Sequence, residues 1–272
     1  DLDNILSAWR YYCEQKEVSV LENCIDIIYQ YFNIRSFFEE GFSLFQETMQ
    51  ESSYLDPFDR ILGILANRLG NLAFRLHQNE MAFQMFTRAK NIFEREMDIG
   101  ELGISYLGLG RYFLRQKNID KSLFFSNSGL TCFEKVGDKF HQGRGLYLKG
   151  MIYQRFADYP TAKDIFTAGL RLSREANDQR GVLLNLGQLA GHACNEGNYD
   201  IAENYYLECL ALSRAFKDRF QQAVILNNLA SVYHPRKEFQ CEEEVLTESL
   251  EICREIADLD GQGIAKNNLS EM

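Results

Sequence analysis

Proline is scarce in this sequence, so little interrupts helix formation. Three of the 272 residues are proline, Pro57, Pro160 and Pro235, and proline is the strongest helix breaker among the amino acids. No apolar run approaches the ~18 residues that a membrane-spanning helix requires. The seven cysteines include no CxxC pair, which favours small reduced core residues over disulfides or a zinc site. Together these absences predict a helical protein of the cytoplasm that does not enter membranes.

Basic charge and catalytic motifs are also lacking. Lysine and arginine number 29 against 39 acidic residues, a net charge of -10 that argues against nucleic-acid or anionic-membrane binding. The sequence has no HExxH, no GxSxG and no glycine–lysine phosphate loop. Its four histidines have no second histidine or cysteine at a metal-ligand spacing. We therefore expect a protein that is not an enzyme and that holds no cofactor and no metal.

What the sequence does have is a repeat of 40 residues. Aspartate recurs at this interval without a slip, at Asp98, Asp138, Asp178, Asp218 and Asp258. Small residues keep the same period in a second register, at Gly70, Gly110, Gly150, Ala190, Ala230 and Ser270. A third register is also small, at Ala89, Gly129, Gly169, Cys209 and Ser249. Such periodicity is typical of proteins built from stacked repeats.

Each repeat reads as two helices. Apolar residues between the markers follow the i, i+3, i+4, i+7 spacing of an amphipathic helix. In one unit, residues 181–190 predict a first helix, 196–200 a turn and 201–214 a second helix. Small residues at fixed positions allow two helices to cross closely. The sequence therefore predicts an all-α stack of antiparallel helix pairs, in which neighbouring pairs bury one another's apolar faces.

The pattern resembles the tetratricopeptide repeat family. One unit matches its signature residues with Leu69, Gly70, Ala73, Ala82, Phe86 and Ala89. Other units depart from it, with Lys149 and Glu242 at positions expected to be Leu and Ala. The proline that usually closes the repeat is absent, so the second helix is expected to be longer than usual. The resemblance implies a right-handed superhelical solenoid whose first helices line a concave groove that binds a peptide or protein.

Residues 1–56 are helical in pattern but out of phase with the repeats. We expect them to form an N-terminal segment that packs on a solenoid at residues 57–272, comprising about five repeats and the start of a sixth. The opening residues 1–5, with Ala8 and Trp9, resemble a junction in multidomain signalling ATPases of the STAND type, ahead of a helical-repeat sensor. This implies a sensor segment of a larger polypeptide, with that polypeptide's other domains as partners. The alternative is a free-standing adaptor or peptide-responsive regulator, and a phosphate-binding loop upstream in the reading frame would separate the two.

The resemblance also implies which residues face the groove. Counting from Gly70 and its equivalents, the predicted ligand-binding residues are Asn67, Asn71, Arg75, Arg111, Arg115, Arg144, Tyr147, Arg155 and Asn227. The arginine fork suits carboxylate or phosphate, and an asparagine amide can hold a peptide main chain. We therefore expect a protein or peptide partner with an acidic segment. In the alternative arrangement, the arginines pair with carboxylates of the second helices such as Glu80, Glu94 or Asp120.

Overall fold

The computed structural model describes residues 2–35, 37–52, 55–56 and 59–270, and this part of the chain contains fourteen α-helices and no strand. The helices are α1 (Leu2–Glu14), α2 (Val18–Arg35), α3 (Phe38–Glu51), α4 (Arg60–Arg75), α5 (Asn79–Glu96), α6 (Ile99–Arg115), α7 (Ile119–Val136), α8 (Lys139–Arg155), α9 (Tyr159–Glu175), α10 (Gln179–Asn195), α11 (Tyr199–Ala215), α12 (Arg219–Arg236), α13 (Phe239–Glu255) and α14 (Leu259–Ser270). Short turns connect the helices from α4 onward. The predicted all-α repeat fold is confirmed.

The repeat unit is a pair of helices of nearly equal length. The even-numbered helices α4 to α14 are the first helices of their pairs, and the odd-numbered helices α5 to α13 are the second. The second helices contain 17 or 18 residues. The predicted first helix at 181–190 extends over Gln179–Asn195, and the second at 201–214 over Tyr199–Ala215. Longer helices account for the period of 40 residues.

Four of the five recurring aspartates, Asp98, Asp138, Asp218 and Asp258, cap a first helix. The Asp98 carboxylate accepts a hydrogen bond from the Glu101 N–H at 3.1 Å, and Asp218 accepts one from Gln221 at 3.1 Å. Such side-chain caps satisfy N–H groups that have no partner within the helix. Asp178 differs, because its carboxylate binds the Arg144 guanidinium instead, through Nε at 2.9 Å and Nη2 at 3.2 Å.

Small residues lie where a helix meets an aromatic ring of its partner. A Cβ atom on Gly70 would come within 2.9 Å of the Phe86 ring, and one on Gly150 within 2.5 Å of the Phe166 ring. In the third register, a Cβ on Gly129 would lie 3.1 Å from the Gly103 carbonyl oxygen. Packing therefore requires these positions to stay small.

The chain divides into two compact units, Asp1–His141 and Gln142–Met272. The core of the first unit joins side chains from both sides of residue 56, because Trp9, Phe32 and Phe45 share it with α4 residues such as Leu65. The predicted division into 1–56 and 57–272 stays a prediction. The second unit has its own core around Phe166, Leu186 and Leu226. Among the described helices, none has the length and apolarity needed to cross a bilayer.

Candidate functional site

Five of the predicted site residues lie on α4 and α6 of the first unit, and four of them lie near the ends of these helices. Asn71 and Arg75 are one turn apart near the end of α4, and Arg111 and Arg115 are one turn apart near the end of α6. Residues four apart lie on the same helix face. The negative end of the helix dipole also favours cations in this last turn. Asn71, Phe74, Arg75, Arg111 and Arg115 are called the cationic patch below.

Aromatic rings and amide groups hold the arginines of the cationic patch in place. The Arg115 guanidinium carbon lies 3.8 Å from the centroid of the Phe74 ring, and that of Arg111 lies 5.4 Å from the same centroid. The Arg111 Nη2 donates to the Asn71 Oδ1, which joins α6 to α4. The Arg75 guanidinium stacks over the Phe38 ring at 4.9 Å. Stacking on aromatic faces fixes a guanidinium without using its hydrogen-bond donors.

Arg115 keeps part of its donor capacity. Its Nη1 donates to the Asn79 Oδ1 at 2.6 Å and to the Phe74 carbonyl at 3.3 Å. Its Nε and Nη2 have no hydrogen-bond partner among the described residues, and no described carboxylate forms an ion pair with Arg115. The side chain is exposed. One edge of the guanidinium is therefore anchored, and the opposite edge can accept a ligand.

Glu80 and Glu94, two carboxylates of α5, accept hydrogen bonds from tyrosine hydroxyls. Glu80 accepts a hydrogen bond from the Tyr112 hydroxyl at 3.2 Å. Glu94 accepts one from the Tyr106 hydroxyl at 3.1 Å and pairs with Lys90 at 2.9 Å. Burial, with the hydrogen bond to Glu94, raises the pKa of Tyr106 to about 12, so its phenol remains a neutral donor. Of the predicted arginines, Arg144 does bind an acid, since it pairs with Asp178.

Asn67 is buried beneath the groove rather than on it. Its side-chain nitrogen donates to the Glu101 carbonyl at 3.0 Å and to the Glu101 carboxylate at 2.8 Å, and its oxygen accepts from the Ser105 hydroxyl. Its own main-chain carbonyl accepts from the Asn71 side chain at 2.9 Å. Asn67 therefore connects the cationic patch to the interior and has no surface for a ligand.

The adjacent residue, Arg68, was not among the predicted site residues. Its side chain connects α4 to α2 and α6. Its guanidinium binds Asp26 of α2 at 2.6 Å and Glu101 of α6 at 2.5 Å. Burial alone would lower the pKa of Arg68, but the two carboxylates outweigh it and raise that pKa. The sequence offered a weak signal, a charged residue with Leu65 and Leu72 about one turn before and after it on a first helix. Its partners lie 33 and 42 residues away, too far to be identified from local spacing.

The remaining predicted residues lie in the second unit and do not form one cluster. Arg144, Tyr147 and Arg155 lie along α8, whereas Asn227 is on α12. Burial raises the pKa of Tyr147, whose ring packs near that of Phe166. Arg155 is exposed and has no hydrogen bond or ion pair within the described part of the chain. Asn227 donates to the Ser249 hydroxyl at 2.8 Å, and its buried Oδ1 has no partner there.

Part of the repeat region matches a known family. Residues 179–255 match the sequence profile of the family described as tetratricopeptide repeat. The photosystem I assembly protein Ycf3 of Rippkaea orientalis (strain PCC 8801 / RF-1) is 34% identical over 97 residues, which is 36% of this chain. The chain spans about half the length of that relative, since the match covers 51% of it.

Solved structures show the same fold over nearly the whole chain. A STAND protein with a tetratricopeptide repeat sensor, from Pyrococcus horikoshii, matches 98% of this chain and 41% of its own, with a TM-score of 0.68 and 17% identity. A Rap protein complexed with Competence and Sporulation Factor matches 99% of this chain and 79% of its own, with a TM-score of 0.69 and 14% identity. Identities this low show the fold alone. Residues 179–255 of this chain therefore match tetratricopeptide repeats, and the chain has the all-α fold of tetratricopeptide-repeat proteins.

Proposed function

We propose that this chain is the non-catalytic sensor or scaffold segment of a larger signalling protein, and that it holds a peptide or protein along its first helices. Tetratricopeptide repeats bind proteins and peptides, so the coarser role of a binding scaffold follows from the repeats. The finer role adds that the ligand lies on the groove face of the first helices. It also adds that an acidic group of the ligand binds at the cationic patch.

The observation that carries the proposal is that the Arg115 guanidinium is held in place while two of its nitrogen donors remain unused. Stacking on Phe74 and the two bonds of Nη1 hold the guanidinium in place, so little side-chain freedom remains to be lost on binding. The Nε and Nη2 donors lie on one edge of the fork, which matches the two oxygens of a carboxylate. A glutamate or aspartate side chain of a partner fits this edge, as does a terminal carboxylate.

Charge supports the same ligand class. The chain as a whole carries a net charge of -10, yet the cationic patch gathers three arginines on two neighbouring helices. The Asn71 amide lies beside Arg111 and supplies a polar group next to the cations. An acidic segment would be attracted to this patch, whereas the net negative charge of the rest of the chain would repel it.

The assignment to a larger signalling protein is supported by one comparison. The chain aligns over nearly its whole length with part of a STAND protein that has a tetratricopeptide repeat sensor. The likeness extends over 41% of that protein, as expected for a segment. The opening residues that resemble a STAND junction point the same way. We therefore place the other domains of the same polypeptide among its partners and expect it in the cytoplasm.

A charge-matched pair of double variants tests the location of the ligand. Random linear peptides displayed on phage are selected on the wild-type chain, and their affinities are then measured for Arg111→Ala with Arg115→Ala. We expect acidic peptides to be enriched, and the double variant to bind them at least about 10-fold more weakly with a smaller dependence on salt.

The control removes two arginines from the second helix α9, where Arg171 and Arg174 already pair with Glu175 and Glu208. The variant Arg171→Ala with Arg174→Ala changes the net charge equally and should leave affinity nearly unchanged. Equal losses of peptide affinity in both double variants would show that net charge alone causes the effect. The cationic patch would then not be the binding site.

A further inference from the structure

Two glycines of α10 have no packing reason to be glycine. At Gly150 an added Cβ atom would strike the Phe166 ring, and at Gly169 it would lie 2.6 Å from the Asn185 side chain. At Gly187, by contrast, no atom lies within 4 Å of the added Cβ. At Gly191 the nearest atom is the Tyr206 hydroxyl at 3.6 Å, an ordinary contact distance. Glycine in a helix interior is less favourable than alanine, so fold stability alone would select alanine at both positions.

The two glycines lie on a partly exposed face of α10. They are four residues apart, hence on one side of the helix, and Leu184 precedes them on that side with 37% of its surface exposed. They leave bare main chain where a partner can approach closely. Gly187 and Gly191 are called the glycine window.

A buried tyrosine points its hydroxyl into this window. Tyr206 of α11 is 5% exposed, and its hydroxyl lies where Gly191 lacks a side chain. No described residue forms a hydrogen bond with that hydroxyl. Burial raises the pKa of Tyr206 to about 12, so the phenol is neutral and can donate. Phenylalanine stands at the equivalent positions Phe86 and Phe166, so packing in this fold does not depend on the hydroxyl.

The neighbouring first helix adds an acceptor and an apolar side chain. The α10 and α12 helices touch at this face, because the Cys194 thiol donates to the Ser231 carbonyl at 3.6 Å. On α12, Asn227 occupies the position equivalent to Gly187, and its buried Oδ1 has no partner among the described residues. Val224, 38% exposed, occupies the position equivalent to Leu184. These side chains therefore offer one donor, one acceptor and two aliphatic groups, and none of the four is charged.

We propose that the glycine window binds the main chain of a neutral, extended peptide segment. A peptide carbonyl accepts a hydrogen bond from the Tyr206 hydroxyl, a peptide N–H donates to the Asn227 Oδ1, and apolar side chains of the peptide lie on Leu184 and Val224. The inference rests on the proposed function, since it takes the ligand to be a peptide. It adds, in the second unit, a candidate site whose chemistry differs from that of the cationic patch.

The test uses a double variant that should increase thermal stability and weaken peptide binding. Random linear peptides displayed on phage are selected on the wild-type chain, and their affinities are then measured for Gly187→Ala with Gly191→Ala. Because nothing crowds the added methyl groups, the double variant should melt a few degrees higher, on the order of 3 °C. It should also bind the selected peptides at least about 10-fold more weakly, because the methyl groups occupy the approach to the helix.

Two further variants sharpen the result. Tyr206→Phe should fold as the wild type does and lose about 3- to 10-fold in affinity, the effect of one neutral hydrogen bond. Gly263→Ala is the control, because Gly263 of α14 also has no atom within 4 Å of an added Cβ but lies outside the window. It should leave affinity unchanged.

The outcomes separate the two proposals. Unchanged affinity in the double glycine variant would overturn the glycine window as a site. If the same peptides still depended on Arg111 and Arg115, the proposed function would stand without it. Failure to select any peptide on the wild-type chain would overturn both.

Discussion

At the scale of single residues, the turns depend on a left-handed backbone. In the turns within helix pairs and in the turns between pairs, the residue just before the N-cap position has a positive φ angle. It is glycine at Gly137 and Gly197, but alanine at Ala157 and Ala257, with φ of 57° and 56°. An L-residue with a Cβ is strained in this region by about 1–2 kcal/mol, whereas glycine is not. Both alanines are exposed, so their methyl groups add little packing.

We predict that Ala157→Gly and Ala257→Gly each stabilise the protein by about 0.5–1 kcal/mol, because relief of strain exceeds the entropy that glycine loses. Urea unfolding monitored by circular dichroism measures the change. Gly197→Ala is the matched reverse, since nothing lies within 4 Å of its added Cβ and only the backbone is affected. A shift of the same sign in the forward and reverse variants would show that backbone strain is not the cause.

At the scale of helices, two arginines of α4 clamp the N-terminal helix α2 to the repeats. Arg60 bonds Glu22 of α2 and Asp98 ahead of α6, and Arg68 bonds Asp26 of α2 and Glu101 of α6. The two clamps differ in burial. The Arg60 side chain is 45% exposed, whereas that of Arg68 is 6% exposed. Their contributions to stability should therefore differ.

We predict that Arg68→Met destabilises the first unit by about 3–5 kcal/mol, because it leaves the largely buried Glu101 carboxylate without its cationic partner. Arg60→Met is the control with the same chemistry near the surface, and it should cost about 0–1 kcal/mol. Hydrogen exchange localises the effect, since amides of α2 should lose protection in Arg68→Met alone. Similar losses in both variants would contradict the assigned role of burial.

At the scale of the whole molecule, the N-terminal helices belong to the core of the first unit. Trp9 donates to the Thr48 hydroxyl at 2.7 Å, which fixes α1 against α3. Phe45 of α3 is fully buried in the same core as Ile61 and Leu65 of α4. Removing residues 1–56 would expose this apolar face of α4 and leave Arg68 without Asp26.

We predict that residues 1–56 and 57–272, produced as two separate chains in one cell, associate and copurify at equal stoichiometry. The chain of residues 57–272 alone should melt at a lower temperature or aggregate, because apolar area buried by the N-terminal segment becomes exposed. Phe45→Asp in the shorter chain should abolish copurification. A stable, monodisperse 57–272 chain with an unchanged melting temperature would show that the first segment is an independent domain.

The repeat, the helix pairs and the capping aspartates were determined by the sequence itself, because they depend on contacts within a few residues. A cap reaches its N–H across three residues, as Asp98 does to Glu101, and an amphipathic helix displays its period along one segment. The tetratricopeptide pattern and the all-α fold followed from these local rules. The left-handed turns were only partly visible, because lysine, alanine and methionine occupy positions where glycine would have revealed them.

Only the tertiary structure decided which polar residues face a ligand, since that depends on partners far apart in sequence. Asn67 has the spacing of a groove residue, yet Glu101 and Ser105 bury it. Arg144 matches the other arginines in pattern, yet Asp178 engages it from 34 residues away. Glycines of the first helices differ in the same way: Gly150 must stay small because Phe166 lies against it, whereas no atom lies within 4 Å of a Cβ added at Gly187. Residue type and spacing specify a helix face, but contacts across helices decide whether that face is core, ion pair or open surface.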